Sequence, residues 1–88
     1  MWKRTLCLTL AVLLLLSVPG ALAVTYRQGS AGEQVRTIQQ KLKRWGYYDG
    51  AVDGIFGSAT RRAVVSFQKK NGLAADGIVG PNTLRALG

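Results

Sequence analysis

Asp53 and Asp76 are the carboxylates of this sequence that best suit acid–base chemistry, because each precedes a glycine in a similar short segment. Glycosidases use such a pair of carboxyl groups, one of which is kept protonated by its surroundings. An Asp at a tight turn can instead accept hydrogen bonds from the backbone N–H groups of its own loop. We expect this structural role for both, and we expect Glu33 to cap a helix.

Other catalytic chemistries lack their usual residues. The sequence contains no histidine, so it lacks the most frequent general base and the most frequent zinc ligand. Its one cysteine, Cys7, lies in a segment that we expect to be removed, which excludes disulfides and thiol sites from the processed chain. The serines have no evident base, and only a Ser–Lys pair stays formally open. We expect no catalytic residue, cofactor or metal.

The first 23 residues have the features of a secretory signal peptide. Lys3 and Arg4 precede an apolar segment at 6–18, after which Pro19-Gly20 breaks any helix and Ala21-Leu22-Ala23 offers a cleavage site. The apolar segment is shorter than the roughly 20 residues that a membrane span needs. We therefore expect cleavage after Ala23 rather than a retained anchor, and a secreted protein that meets the membrane only during export.

Residues 24–88 suffice for one small, basic domain. Without Lys3 and Arg4, 10 basic residues face 4 acidic ones, which gives a net charge of +6. A domain of this size buries only about 60% of its unfolded surface, so it needs an efficient core. Its charge suits anionic polymers outside the membrane, whereas nucleic acid fits the charge but not the compartment, and we expect no nucleic-acid partner.

The first predicted helix spans about residues 31–45. Ser30 can cap it, and Glu33 can reach back to the cap amide as in a capping box. Gly46 sits where a left-handed stop is expected. The apolar side chains recur every three or four residues, and we expect all of them in the core: Val35, Ile38, Leu42 and Trp45.

Two further helices are predicted, from near Ser58 to about Lys70 and from Pro81 to Leu87. Pro81 suits the first position of a helix, which makes the preceding glycine the cap. By analogy Gly57 would cap the second helix, whereas residue preference favours Ser58. Both assignments stay open. An Asp-Gly hairpin at 47–52 is an alternative for one loop, but its flanking runs are short, and we expect an all-α domain.

Residues 53–64 align without gaps with residues 76–87 as an internal repeat. Each copy contains a tight turn, two apolar residues, a glycine and a helix start. We expect its glycines to supply backbone conformations closed to other residues. The turn residues are Asp53, Gly54 and Gly57 in the first copy and Asp76, Gly77 and Gly80 in the second.

An ordered set of short motifs connects these elements: Gly29-Ser30-x-Gly32, Ile38-Gln39, Gly46-Tyr47-Tyr48, Asp53-Gly54-x-Phe56-Gly57, Phe67-Gln68, Gly72-Leu73 and Asp76-Gly77-x-Val79-Gly80. Together, over about residues 28–87, they resemble the peptidoglycan-binding-domain-1 family. The most similar type is the N-terminal module of spore cortex-lytic enzymes, which also follows a signal peptide.

The resemblance implies a compact three-helix domain with pseudo-twofold symmetry that binds the glycan or the stem peptide of peptidoglycan. Members of the family are usually joined to a wall hydrolase. No catalytic segment follows Gly88 in this sequence. We therefore expect a non-catalytic binding domain at 30–88, preceded by a short leader at 24–29. The alternative is the N-terminal fragment of a wall hydrolase.

The ligand is expected in a shallow groove between the two repeated turns, where helix starts offer free N–H donors. Tyr48 would provide a flat apolar wall, whereas Thr60 and Thr83 either contact the ligand or fix their own loops. We expect Gln39 and Gln68 to hydrogen-bond a loop rather than a ligand. The candidate contacts are Tyr48, Ser58, Thr60, Arg61, Asn82 and Thr83.

Overall fold

Apolar residues at helical spacing form three helices in the structure, a computed structural model that describes residues 24–88. The helices are α1 (Glu33–Arg44), α2 (Ser58–Lys70) and α3 (Pro81–Leu87), and α1 packs against both of the others. The all-α prediction is confirmed: within residues 24–88 the β-pairing is limited to two isolated bridges. The predicted signal peptide lies outside the described residues. No helix of 24–88 is long and apolar enough to cross a membrane.

The core lies where the three helices and the two repeated turns meet. Phe56 and Val79, from equivalent positions of the two turns, are 1% and 0% exposed. Each turn therefore inserts one large apolar side chain between the helices, which ties the loops to the core. The helices contribute Val35, Ile38, Leu42, Ala63, Val64, Phe67 and Leu87.

Trp45 departs from the predicted core. It is 58% exposed, although it continues the apolar spacing of α1. The reason is that α1 ends at Arg44 and Trp45 is its C-cap residue. The side chain therefore projects at the edge of the bundle, beyond the last full turn.

The helices α1 and α2 end in the same way. Gly46 and Gly72 adopt the left-handed conformation, with φ of 87° and 70°. The next amides, of Tyr47 and Leu73, each donate to a carbonyl of the last helical turn at 2.8 Å. This is the Schellman arrangement, which satisfies carbonyls that the helix leaves free. The predicted glycine stop of α1 is confirmed.

The predicted capping box of α1 was wrong. The N-cap is Gly32, and no side chain caps the helix. Ser30 precedes the cap by two residues, and its Oγ accepts the amide of Arg27 at 3.0 Å instead. Glu33 forms an exposed ion pair with Arg36, 3.4 Å between Oε1 and Nε, and such a pair adds little stability.

Helices α2 and α3 begin after glycine caps, Gly57 and Gly80, without a capping side chain. The analogy between the two copies therefore predicted the α2 cap correctly, and the preference for Ser58 did not. Both caps are extended, with φ of −100° and −103°, a conformation open to any residue. Of the four turn glycines, only Gly54 and Gly77 adopt the positive φ, +74°, that favours glycine.

The residues before α1 belong to the folded unit. Tyr26 pairs with Val79 through two backbone hydrogen bonds of 3.0 and 2.8 Å. Farther along, the amide of Gly29 donates to the carbonyl of Phe56 at 2.9 Å. The segment at 24–29, expected as a leader, thus lies against both repeated turns.

Candidate functional site

Gln39 on α1 holds the first repeated turn. Its side chain is completely buried, and its Oε1 accepts the amide of Gly54 at 2.9 Å. Its Nε2 faces three oxygens at 3.0–3.1 Å, those of Asp53 Oδ1, Ile55 O and Thr60 Oγ1. Because an amide nitrogen carries two hydrogens, these acceptors share them. Because a donor faces Oε1 and acceptors face Nε2, the orientation of the Gln39 side-chain amide is fixed.

Gln68 on α2 holds the second turn through the corresponding bonds, although it lacks the contact of 3.5 Å that Gln39 Nε2 makes with the Tyr48 hydroxyl. Its Oε1 accepts the amide of Gly77 at 2.9 Å. Its Nε2 lies 2.9–3.2 Å from Asp76 Oδ1, Ile78 O and Thr83 Oγ1. The prediction that both glutamines bind loops is confirmed. The two copies of the sequence repeat thus share one hydrogen-bond pattern.

The turn carboxylates are poorly suited to acid catalysis. Asp53 Oδ1 accepts the amide of Ile55 at 3.0 Å, and Asp76 Oδ1 accepts that of Ile78 at 2.9 Å. These backbone N–H groups, helped by the glutamine amides, lower the pKa of both carboxyls. A general acid needs the opposite, a carboxyl that stays protonated. Across residues 24–88 no three acidic side chains come together to hold a metal ion.

Three of the predicted ligand contacts are buried, and for Thr60 and Thr83 the structure favours the alternative in which they fix their own loops. Thr60 and Thr83 are 1% and 5% exposed, because their hydroxyls face the buried glutamine amides. Tyr48 is 8% exposed, and its hydroxyl donates to the carbonyl of Ala51 at 2.6 Å. Of the two adjacent tyrosines, Tyr48 is the more deeply buried, so its ring forms no apolar wall at the surface.

The other three predicted contacts, Ser58, Arg61 and Asn82, are exposed. Ser58 and Arg61 lie three residues apart on α2 and therefore share a face. Arg61 also lies against the second turn, since a Cβ added to Gly77 would be 2.9 Å from its Nε. Asn82 borders a cavity of about 230 Å³ beside the same turn. The structure thus places Arg61 and Asn82 around the second turn.

A second cavity, of about 180 Å³, lies near the C-terminal ends of the helices. The rings of Tyr47 and Phe67 meet edge to face there, with centroids 5.3 Å apart. Sequence reasoning missed this place because Trp45 continued the apolar stripe. Gly46 was the sequence feature that could have indicated the exposure of Trp45, since a residue directly before a helix stop lies at the end of its helix. The lining residues are Trp45, Tyr47, Phe67, Asn71 and Ala86.

Comparisons with known proteins identify sequence relatives among wall enzymes. The amidase "N-acetylmuramoyl-L-alanine amidase CwlM" of Mycobacterium tuberculosis is 54% identical over 56 residues, which cover 64% of this chain and 14% of that protein. The spore cortex-lytic enzyme of Bacillus cereus is 44% identical over 61 residues, 69% of this chain and 24% of that protein. The chain therefore spans a quarter or less of these relatives.

Solved structures share the fold. The SleB N-terminal domain superposes with a TM-score of 0.72 at 42% identity, over 73% of this chain and 88% of that one. A peptidoglycan-binding protein from Clostridioides difficile, in complex with glutamine hydroxamate, gives 0.71 at 49% identity, over 74% and 40%. The family model described as "Putative peptidoglycan binding domain" matches residues 31–87. The chain belongs to this peptidoglycan-binding domain family.

Proposed function

We propose that this domain binds peptidoglycan and keeps a wall-acting catalytic domain or protein at its substrate, without catalysing a reaction itself. The observation that carries the proposal is the family match over residues 31–87, on a fold shared with the SleB N-terminal domain.

The turn chemistry supports binding rather than catalysis. Asp53 and Asp76 are the carboxylates of the two repeated turns, and both accept hydrogen bonds from backbone and glutamine N–H groups. Their depressed pKa keeps them ionised at neutral pH. Because they hold their own turns in place, their role is to shape the surface around them.

The exposed residues around the second turn are our proposed ligand contacts. Arg61 offers a planar guanidinium, and Asn82 offers an amide at the rim of the 230 Å³ cavity. Ser58 adds a hydroxyl on the same face of α2 as Arg61. Stem peptides of peptidoglycan present carboxylates and carbonyls, which these donors fit.

The proposed location is the cell wall, outside the membrane. The charged and apolar pattern of the first 23 residues supports export. A net charge of +6 on residues 24–88 supports attraction to an anionic polymer.

The length of the relatives favours a second candidate, in which these residues are the N-terminal part of a wall hydrolase. The match covers 14% of the amidase and 24% of the cortex-lytic enzyme. Sequencing the coding region downstream of the Gly88 codon tests this candidate, and an open frame encoding a hydrolase domain would support it.

The test of the main proposal is co-sedimentation of the purified protein with insoluble peptidoglycan, with cellulose as control. We expect sedimentation with peptidoglycan only, and we expect binding to persist at a salt concentration that screens surface charge. Muropeptide release is measured in parallel and should stay at the buffer level. Equal sedimentation with both polymers would contradict the proposal.

A further inference from the structure

Trp45 exposes more than half of its surface although it is held in place. It is 58% exposed, and its Nε1 donates to the carbonyl of Leu87 at 3.2 Å. That bond satisfies the one polar atom of the indole, so the exposed remainder is apolar. A fixed apolar ring at the surface can stack on a flat partner with little loss of side-chain entropy.

The cavity beside Trp45 also offers polar groups. Tyr47 is half-buried and lines it with its ring, which rests on Phe67. The Nδ2 of Asn71 donates to the carbonyl of Phe67 at 2.8 Å, which leaves its Oδ1 as an acceptor for a ligand. An aromatic wall with a few polar groups is the usual composition of a small-ligand site.

The ends of the helices near this cavity are basic. The last turns of the three helices carry basic side chains and no acidic ones: Lys41, Lys43 and Arg44 on α1, Lys69 and Lys70 on α2, and Arg85 on α3. These cations complement the negative ends of the helix dipoles. They also give this end of the domain a positive field that attracts an anionic polymer.

We propose that this groove, formed by Trp45, Tyr47, Phe67, Asn71 and Ala86, binds the glycan strand of peptidoglycan through an N-acetylated amino sugar. The apolar C–H face of the pyranose stacks on the indole of Trp45, and the acetamido N–H donates to Asn71 Oδ1. The cations attract the acidic stem peptides that the same strand carries. The inference rests on the proposed function and names the glycan as a second point of contact.

A second copy of this chain fits the groove less well. A stable protein interface takes about 20–30 residues from each partner, whereas five residues line this groove. Two copies would also bring the same six cations face to face. The field repels a like-charged copy and attracts an anionic strand.

The experiment uses the fluorescence of Trp45. The chain has two tryptophans, Trp2 and Trp45, so Trp2→Phe leaves Trp45 as the reporter. The protein is titrated with oligosaccharides of N-acetylglucosamine, and affinities are measured by calorimetry. We expect a saturable change of emission. Trp45→Ala should weaken binding by about tenfold or more, because it removes the stacking surface.

Two variants separate stacking from folding. Trp45→Phe keeps a ring but loses the bond to Leu87, and it should bind within about threefold of the parent. Ile55→Ala removes an equally exposed apolar side chain, 60% exposed, at the first turn, and it should bind like the parent. Circular dichroism checks that each variant folds. Equal affinity of the parent and a folded Trp45→Ala variant would overturn the inference.

Further arms separate this inference from the proposed function. Glycan strands stripped of peptides and intact peptidoglycan are compared in co-sedimentation. Binding of intact peptidoglycan alone would refute the glycan groove and leave the proposed function standing, whereas binding of neither would refute both. Concentration-dependent dimers abolished by Trp45→Ala would assign the groove to a second copy instead.

Discussion

Gln39 on α1 and Gln68 on α2 each anchor a repeated turn through one accepted and three shared donated hydrogen bonds. Both side chains are 1% exposed or less. Each joins an aspartate, a backbone carbonyl and a threonine hydroxyl that are distant in sequence from the glutamine. A single buried amide therefore sets the shape of each turn.

Replacing Gln39 by Leu should destabilise the domain strongly. The amide of Gly54 and the hydroxyl of Thr60 would lose their partner inside the protein, and each unsatisfied buried group costs about 1–3 kcal/mol. We expect a loss of about 3 kcal/mol or more in the free energy of unfolding, measured with urea. Gln40→Leu is the control, because Gln40 is the exposed neighbour on the same helix. Similar losses in both variants would contradict the anchoring role.

A matched pair of glycine substitutions tests the backbone of the first turn. Gly54 has φ of +74°, and a Cβ there would lie 3.0 Å from the carbonyl oxygen of Gly32. Gly54→Ala should therefore cost about 1–3 kcal/mol. Gly57 is extended and has open space around the added Cβ, so Gly57→Ser should be neutral or stabilise by a few tenths of a kcal/mol. Thermal unfolding of both variants checks the difference, and equal midpoints would contradict it.

Stability should fall in acid through Asp53 and Asp76. Their pKa is lowered in the folded state, first by the backbone N–H groups of Ile55 and Ile78. A depressed folded pKa gives a contribution that is present above the unfolded pKa and is lost as the pH falls through the folded one. We expect the unfolding temperature to decline below about pH 4. The double variant Asp53→Asn/Asp76→Asn should be less stable at neutral pH and should show a smaller decline.

Peptidoglycan binding should depend on Arg61 more than on its neighbour. Arg61 lies against the second turn, so Arg61→Ala should weaken binding by about tenfold, the effect of one charge-assisted hydrogen bond. Asn82→Ala should act in the same direction. Arg62→Ala removes the same charge from an adjacent exposed position and should change little. Equal losses in the two arginine variants, measured by co-sedimentation, would show that diffuse charge holds the polymer.

Export predicts a mature N-terminus at Val24. The pattern of the first 23 residues supports cleavage after Ala23. Mass spectrometry of the secreted protein should give the mass of residues 24–88. A secreted form that retains Met1 would contradict this prediction.

Helical spacing and glycine positions were enough to predict the three helices to within about two residues, because these depend on local geometry. The sequence repeat likewise predicted the cap of α2 at Gly57. The capping box failed because Ser30, two residues before the true cap, is engaged by Arg27. Local preference cannot show such a competing partner.

The site was harder to predict than the fold. Tyr48 lies in the loop before the first turn and Thr60 in the first turn of α2, and the hydroxyl of each suits ligand contact as well as burial. Only the tertiary structure shows that these hydroxyls are already hydrogen-bonded, that of Thr60 to the buried Gln39 and that of Tyr48 to the carbonyl of Ala51. Trp45 was assigned to the core for the converse reason, since periodicity does not say where the neighbouring helices end.

The pairing of Tyr26 with Val79 has a consequence for how the chain folds. The sequence looks like two consecutive copies of one unit, which suggests that the first could fold before the second is made. The residues before α1 contact both turns, however, so closing this contact joins the two ends of the domain. We expect a contact that closes so long a loop to form late in folding and together with the rest of the domain. A chain emerging end first from a membrane channel would stay unfolded until nearly all of it had crossed.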